Sequence, residues 1–244
     1  MAGLGSRMPT NHSFVQRAKL FEGLDAASLD TILAAATPRR VPKGGALFEQ
    51  GDKPCWLALI TEGRIKIGHV APDGRTLAVG FLGPGEIAGC TAVFQRVPYL
   101  ATARAIEDSG VLTWWIEEVE ALVERYPKMA TNAVRIVGAR ADAMLRRLQQ
   151  LSTESVEQRI ARALLRLASE AGRPVKGGVQ VDFVLSRQDL AELSGATLYT
   201  VSRTLNVWQK DGVVECGRQR VVVRDFDRLA QLAEGVLTLA AQPP

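Results

Sequence analysis

Residues 186–210 constrain this chain more than any other stretch. Leu190 and Leu193 mark one apolar face, and Val201, Leu205 and Trp208 mark a second at steps of four and three. Ser186 has the chemistry of a helix cap, with Asp189 three residues on, and Thr197 has the same chemistry before the second apolar face. Between them Gly195 sits where the chain must reverse, and Ala191 is small enough to let two helices approach. The pattern predicts a helix-turn-helix. Its second helix would present Tyr199, Ser202 and Arg203 outward, in a shape that suits the major groove of duplex DNA. The plainer alternative is a helical hairpin inside a core.

The residues beyond Lys210 favour the first reading. Asp211-Gly212 would end the second helix. The runs Val213–Glu215 and Arg220–Val223, joined through Cys216–Gln219, read as a hairpin or wing. Between Leu198 and Arg224 stand five basic residues (Arg203, Lys210, Arg218, Arg220, Arg224) against two acidic ones (Asp211, Glu215). Arginines at a helix face and a wing tip can meet phosphates or base edges. The whole chain carries a formal charge of only +4, so this local excess carries more weight than the total.

The rest of the chain divides by periodicity. Residues 14–36 read as helical through Phe14, Ala18, Phe21, Leu29, Ile32 and Leu33, with a break at Gly23. Then short apolar runs alternate with turn signals such as Pro42-Lys43-Gly44-Gly45, Pro72-Asp73-Gly74 and Gly83-Pro84-Gly85. The runs are Ala46–Phe48, Trp56–Ile60, Ile65–Val70, Leu77–Leu82, Leu100–Ile106 and Val111–Ile116. Many short strands at such spacing predict a β sandwich, roll or barrel. From about Glu117 the period changes. Val134, Val137, Ala141, Met144, Leu148 and Leu151 alternate steps of three and four, the narrow seam of a coiled coil rather than the broader face of a packed surface helix. A new helix, capped by Ser155 with Gln158, runs through Ile160, Leu164, Leu165 and Leu167. A strand over Val179–Val184 leads into the helix-turn-helix, and Asp225 would cap a last helix through Leu229, Leu232, Val236 and Leu239.

This gives an α+β fold with four parts. They are a tail over 1–13, a jelly-roll-like double-stranded β-helix over 14–117, a long dimerisation helix over 118–151 and a winged helix-turn-helix over 152–244. A hydrophobic content of 47% excludes a largely disordered chain. No apolar run is long enough to span a bilayer, so no membrane partner is expected. Three scattered cysteines (Cys55, Cys90, Cys216) fit a reducing cytoplasm and form neither a disulfide framework nor a metal-ligand spacing. With two histidines, no nucleophile–base pair and no phosphate-cradling loop, enzyme chemistry is not expected.

In this order the chain resembles the Crp–Fnr family of bacterial transcription regulators, from about Leu20 to Leu229. The marks are Leu20-Phe21-Glu22-Gly23-Leu24, Phe48-Glu49-Gln50-Gly51-Asp52, Glu62-Gly63-Arg64, Asp73-Gly74-Arg75, Leu82-Gly83-Pro84-Gly85-Glu86-Ile87-Ala88-Gly89, and Leu185–Ala191 running on to Thr200-Val201-Ser202-Arg203. The resemblance implies a cyclic-nucleotide-binding-like roll that senses something, and a homodimer that binds a palindromic operator and engages RNA polymerase. It also implies that Arg203 reaches guanine, that Ser202 touches a base edge or a thymine methyl, and that Arg187 and Thr197 hold phosphates, with Arg218 at the wing. Tyr199 stands where the Fnr-like pattern has Glu, so the half-site should differ from the family's usual one. Val134, Val137, Ala141, Met144 and Leu148 would form the dimer seam.

The departures bear on the effector. Cyclic-AMP-binding members grip the ribose and cyclic phosphate with a Gly-Glu pair and a later Arg-Ser pair. Here Gly89 is followed by Cys90, and Tyr99-Leu100 replaces Arg-Ser. Met144 and Leu145 stand where the long helix would meet the purine. Each lost charge-assisted bond costs about 2 kcal/mol, so cyclic AMP is not expected. Gly89, Cys90, Tyr99, Leu100, Met144 and Leu145 would instead line a more apolar pocket. The readings are a closed core without ligand, which is preferred, or an apolar ligand or haem with Cys90 or His69 as axial ligand. The alternative overall function is a ligand- or haem-binding module whose roll controls a partner protein.

Overall fold

The computed structural model describes residues 15–16 and 18–239; the tail over 1–13 and Phe14 lie outside them. The chain forms two units. One runs to Asp73 and resumes over Val79–Ala143. The other comprises Gly74–Ala78 and Met144 onward.

The first unit opens with a short 3-10 turn, Lys19–Phe21, and α1 (Ala26–Ala34), capped by Asp25. The strands follow: β1 (Thr37–Val41), β2 (Ala46–Phe48), β3 (Trp56–Glu62), β4 (Ile65–Val70), β5 (Thr76–Leu82) and β6 (Ile87–Ala88). After a short helix, α2 (Cys90–Gln95), come β7 (Thr102–Ala105) and β8 (Ser109–Trp115). They form two four-stranded sheets, in the orders β1-β8-β3-β6 and β2-β7-β4-β5. Strand β3 explains the apolar runs. Leu57 and Leu59 point into one buried cluster with Phe21, Ile32, Trp114 and Met129. Ala58 and Ile60 point into another with Phe48, Ile65, Tyr99 and Val111. A strand with both faces covered cannot show the apolar–polar alternation of a half-exposed one. Trp114 Nε1 donates to Ile32 O at 2.8 Å, which ties α1 to the sheet.

The helix expected over 118–151 is two. Helix α3 (Ile116–Arg125) ends at Tyr126, and α4 (Lys128–Thr153) begins after Pro127. Proline crowds the preceding residue out of helical geometry, and Tyr126 sits at φ −127°, ψ 75°. The 26 residues of α4 span about 39 Å at 1.5 Å per residue. Asn132, buried in its second turn, donates to Leu20 O and Glu22 O at 3.0 Å each, which fixes the Leu20-Phe21-Glu22-Gly23 turn.

The second unit contains the end of α4, α5 (Val156–Ala171), β9 (Gly172–Val175), β10 (Gly178–Val181), α6 (Arg187–Ser194), α7 (Leu198–Lys210), β11 (Val214–Gly217), β12 (Arg220–Val223) and α8 (Phe226–Glu234). Its sheet runs β11-β12-β10-β9. The strand expected over Val179–Val184 is shorter. Gly178 lies so close to the β12 backbone that a Cβ would stand 2.2 Å from Val223 O. Helix α8 also stops earlier than expected, because Gly235 at φ 76° turns the chain, leaving Val236 and Leu239 outside the helix.

Candidate nucleic-acid interface and sensor interior

Helices α6 and α7 form the helix-turn-helix. Ser186 accepts from Asp189 N while the Asp189 carboxylate accepts from Ser186 N, a reciprocal cap. Gly195 at φ 65°, ψ 33° makes the reversal, a backbone region that costs glycine nothing. Thr197 then caps α7 by accepting from Thr200 N at 3.1 Å. Leu190, Ala191, Leu193, Val201, Leu205 and Trp208 are all buried.

Two arginines outside the motif hold the C-terminal end of its first helix. Arg147, from α4, donates to the carbonyls of Glu192 and Leu193 at 3.0 and 2.7 Å. Arg159, from α5, donates to Ser194 O at 2.8 Å. Unpaired carbonyls at a helix C-terminus carry partial negative charge, so guanidinium groups suit them.

On the outward stripe of α7 stand Leu198, Tyr199, Arg203 and Asn206, with Ser202 half-buried beside them. Among the described residues Arg203 makes no hydrogen bond or ion pair, and the same holds for Arg218 at the turn of the β11–β12 wing. The neighbouring cations are engaged. Arg220 pairs with Glu215 at 2.8 Å, Arg224 pairs with the same carboxylate, and both hold it below its usual range. Arg187 donates to Asn206 Oδ1 at 3.1 Å. Lys210 closes the helix on its exposed side. Asn206 is absent from the residues expected at this face, although it lies one turn beyond Arg203, and helical period is the signal that finds it.

In the first unit Gly89 lies against Tyr99, but Cys90 is buried in the other cluster, with Leu57 and Trp114, and the other three expected pocket residues stand apart. Leu100 is 61% exposed, and Met144 and Leu145 are exposed on α4. Tyr99 is only 3% exposed, and its ring stacks on Phe48 at 3.8 Å with an interplanar angle of 6°. Its hydroxyl donates to Trp56 O at 2.7 Å and accepts from Cys55 N and Trp56 N at 3.2 and 3.1 Å. The space over Gly89 is filled: a Cβ there would meet Trp56 O at 3.1 Å and the Tyr99 ring at 3.3 Å. Arg104 and Arg96, the arginines flanking Tyr99 in sequence, are paired, with Glu49 at 2.7 Å and with Glu120, and Arg140 donates to Ile87 O at 2.6 Å. An open cleft of about 760 Å³ lies on the outer side, lined by Arg39, Phe48, Lys53, Trp56 and Tyr99 among others. Neither Cys90 nor His69 lines it.

These residues do not fit haem. Cys90 is fully buried, and burial pushes its thiol up to about 11, with Arg140 pulling the other way, so the ligating thiolate is disfavoured. His69, whose Nδ1 meets Leu100 O at 2.9 Å, keeps Nε2 free but, among the described residues, lines no cleft that could hold a macrocycle. Among the described residues no group of three His, Cys, Asp or Glu side chains is placed to hold a metal ion, and no helix is long and apolar enough to cross a membrane.

The raised Cys90 pKa has a consequence in alkali. The unfolded chain releases this proton near 9, whereas the folded one keeps it to about 11. The thiol therefore contributes its full share below pH 9 and loses it as pH rises to 11, on the order of 2–3 kcal/mol. Urea unfolding at pH 7.5 and pH 10.5 checks this. The wild-type protein should lose more stability between the two than Cys90→Ala does, since Tyr99 and Cys216, also raised by burial, titrate in both.

Comparison with known proteins agrees with these two halves. Residues 38–126 match the model of the cyclic nucleotide-binding domain, and residues 158–232 match that of the Crp-like helix-turn-helix domain. A cyclic AMP receptor protein from Thermus thermophilus is 33% identical over 89% of this chain and 97% of its own. A CRP-like cAMP-activated global transcriptional regulator from Mycobacterium tuberculosis is 26% identical over the same shares. The solved structure of a c-di-GMP-responsive global regulator from Xanthomonas campestris superposes with a TM-score of 0.71 at 26% identity, over 82% of this chain and 99% of that one.

Proposed function

Because the chain belongs to the Crp–Fnr family of DNA-binding transcription regulators, we propose that it acts as a cytoplasmic homodimer on a palindromic operator, without gating by cyclic AMP. The observation that carries the DNA reading is Arg203, which has no partner among the described residues, on the outward stripe of a capped α7. A guanidinium with no internal partner is available to the O6 and N7 of guanine, the bidentate contact that best discriminates a base. Arg218 at the wing tip and Arg187 at the start of α6 supply phosphate contacts, and Thr197 adds its cap. RNA polymerase is the protein partner, and no catalytic chemistry is involved.

The cyclic AMP part of the reading rests on Tyr99. Relatives named for cyclic AMP need room and a cation for a cyclic phosphate. Here a buried phenol, sealed by three backbone hydrogen bonds and the Phe48 stack, takes up the space over Gly89. The test is a randomised-site selection with purified protein, with and without cyclic AMP. The expected outcome is one palindrome, recovered equally in both arms. No preference over random duplex overturns the operator reading, and a palindrome recovered only with cyclic AMP overturns the rest.

The dimer rests on α4. Val134 is 72% exposed and Leu148 55%, with Met144 and Leu151 also open to solvent and Ala141 between them. Val137 alone of the expected seam is half-buried, against its own unit. A regular apolar stripe on a long helix is stabilised by a second copy of itself. Leu148→Asp is therefore expected to give a monomer in sedimentation equilibrium at micromolar concentration, with the circular dichroism of the folded chain retained. A variant that stays dimeric would refute this stripe as the interface.

A further inference from the structure

The first turn of α7 carries two large side chains that the described residues of the second unit leave about half or more in solvent. Leu198 is 49% exposed and Tyr199 76%, whereas Val201, Leu205 and Trp208 of the same helix are buried. The helical period explains the arrangement. Leu198 lies one turn before Ser202, and Tyr199 one turn before Arg203, so both fall on the outward stripe. The Tyr199 hydroxyl makes no hydrogen bond among the described residues, and neither does the Arg203 guanidinium beyond it. An aliphatic and an aromatic side chain stand open in water at the helix N-terminus, the end that approaches base edges in this motif.

The surroundings select the occupant. Arg187, Arg203, Lys210 and Arg218 lie on or beside this face, and none is in an ion pair among the described residues. That is a surface for a polyanion. Duplex DNA presents one apolar feature on its major-groove edge, the 5-methyl group of thymine; the rest is hydrogen-bond donors and acceptors. We propose that Leu198 and Tyr199 select thymine by its methyl group, next to the guanine read by Arg203. A glutamate in the first turn would select a cytosine amino group, and this pair replaces that preference with an apolar one. The inference rests on the operator reading above and names the base that reading leaves open.

The test uses the full-length protein and the palindrome returned by the selection. Each thymine of a half-site is replaced in turn, in both halves, by uracil, which removes the methyl group and nothing else. Wild-type protein should lose about fourfold in affinity per half-site at one or two positions flanking the guanine, the worth of one buried methyl. Leu198→Ala and Tyr199→Ala, both at exposed sites, should fold as wild type by circular dichroism and bind thymine and uracil operators equally at those positions. If wild-type protein tolerates uracil throughout a half-site that it otherwise selects, the methyl reading is wrong while operator binding stands. Unaltered discrimination in both variants also overturns it. If no palindrome is selected, the operator reading itself has failed.

Discussion

Replacing Arg203 with alanine is expected to lower affinity for the selected palindrome by roughly 1–3 kcal/mol per half-site, the worth of a bidentate arginine–guanine contact. A dimer reads two half-sites, so the loss is about 2–6 kcal/mol, at least about 30-fold. Binding to random duplex should change far less, because it depends on phosphate charge rather than on base edges. The side chain has no internal partner among the described residues and lies on the exposed face of α7, so the substitution leaves the fold intact. Arg203→Lys separates charge from geometry. It keeps the cation, loses the fork, and should lose most of the discrimination. Shift assays on the palindrome and on scrambled duplex, at two salt concentrations, read both quantities. Equal affinity of wild type and Arg203→Ala for the palindrome would remove this residue from base recognition.

Tyr99→Ala should strongly destabilise the first unit. It deletes a ring that packs against Phe48 and the Gly89 backbone in a buried cluster, which costs about 3–5 kcal/mol for the lost contacts and cavity. It also leaves the amides of Cys55 and Trp56 without their acceptor. Tyr99→Phe isolates that second part. The ring and its stack remain, and the loss should be about 1–3 kcal/mol, the cost of buried polar groups left unsatisfied. Urea unfolding at neutral pH orders the three proteins as wild type, Tyr99→Phe, Tyr99→Ala. If Tyr99→Phe unfolds at the wild-type midpoint, water already serves those amides, and the interior is not sealed as the hydrogen bonds indicate.

The helix-turn-helix was legible because its determinants are local. Ser186 with Asp189, Gly195 and Thr197 act within three or four residues, and the structure places each at the cap or turn its chemistry suits. The strands of the roll were legible as runs but not as a complete set. Thr37-Pro-Arg-Arg-Val reads as polar loop, and it becomes β1 only because β8 supplies its hydrogen bonds from 68 to 76 residues away. Helix α2 is six residues long, too short to show a period. The break at Pro127 is masked in the sequence because the seam residues beyond it keep a helical step. At the candidate site, the outward positions of α7 follow from periodicity, and Arg203 could be named in advance. The engagement of Arg220 and Arg224 by Glu215 could not, since opposite charges five and nine residues apart in a hairpin pair only once the strand register is known. Nor could Arg147, whose partners lie 45 and 46 residues on. In the roll, the sequence exposed the substitution of Arg-Ser by Tyr-Leu. That the tyrosine turns inward while the leucine faces solvent is a matter of how the loop before β7 is held, by bonds to residues more than 40 positions earlier.

The grip of Arg147 on Glu192 and Leu193 sets a limit on modularity. A fragment cut at Ser155 would keep Arg159 and every residue of the winged domain proper, yet surrender those two carbonyls to water. Grafting this reading head onto another scaffold therefore means carrying the last turns of α4 with it, as a stem inseparable from the flower.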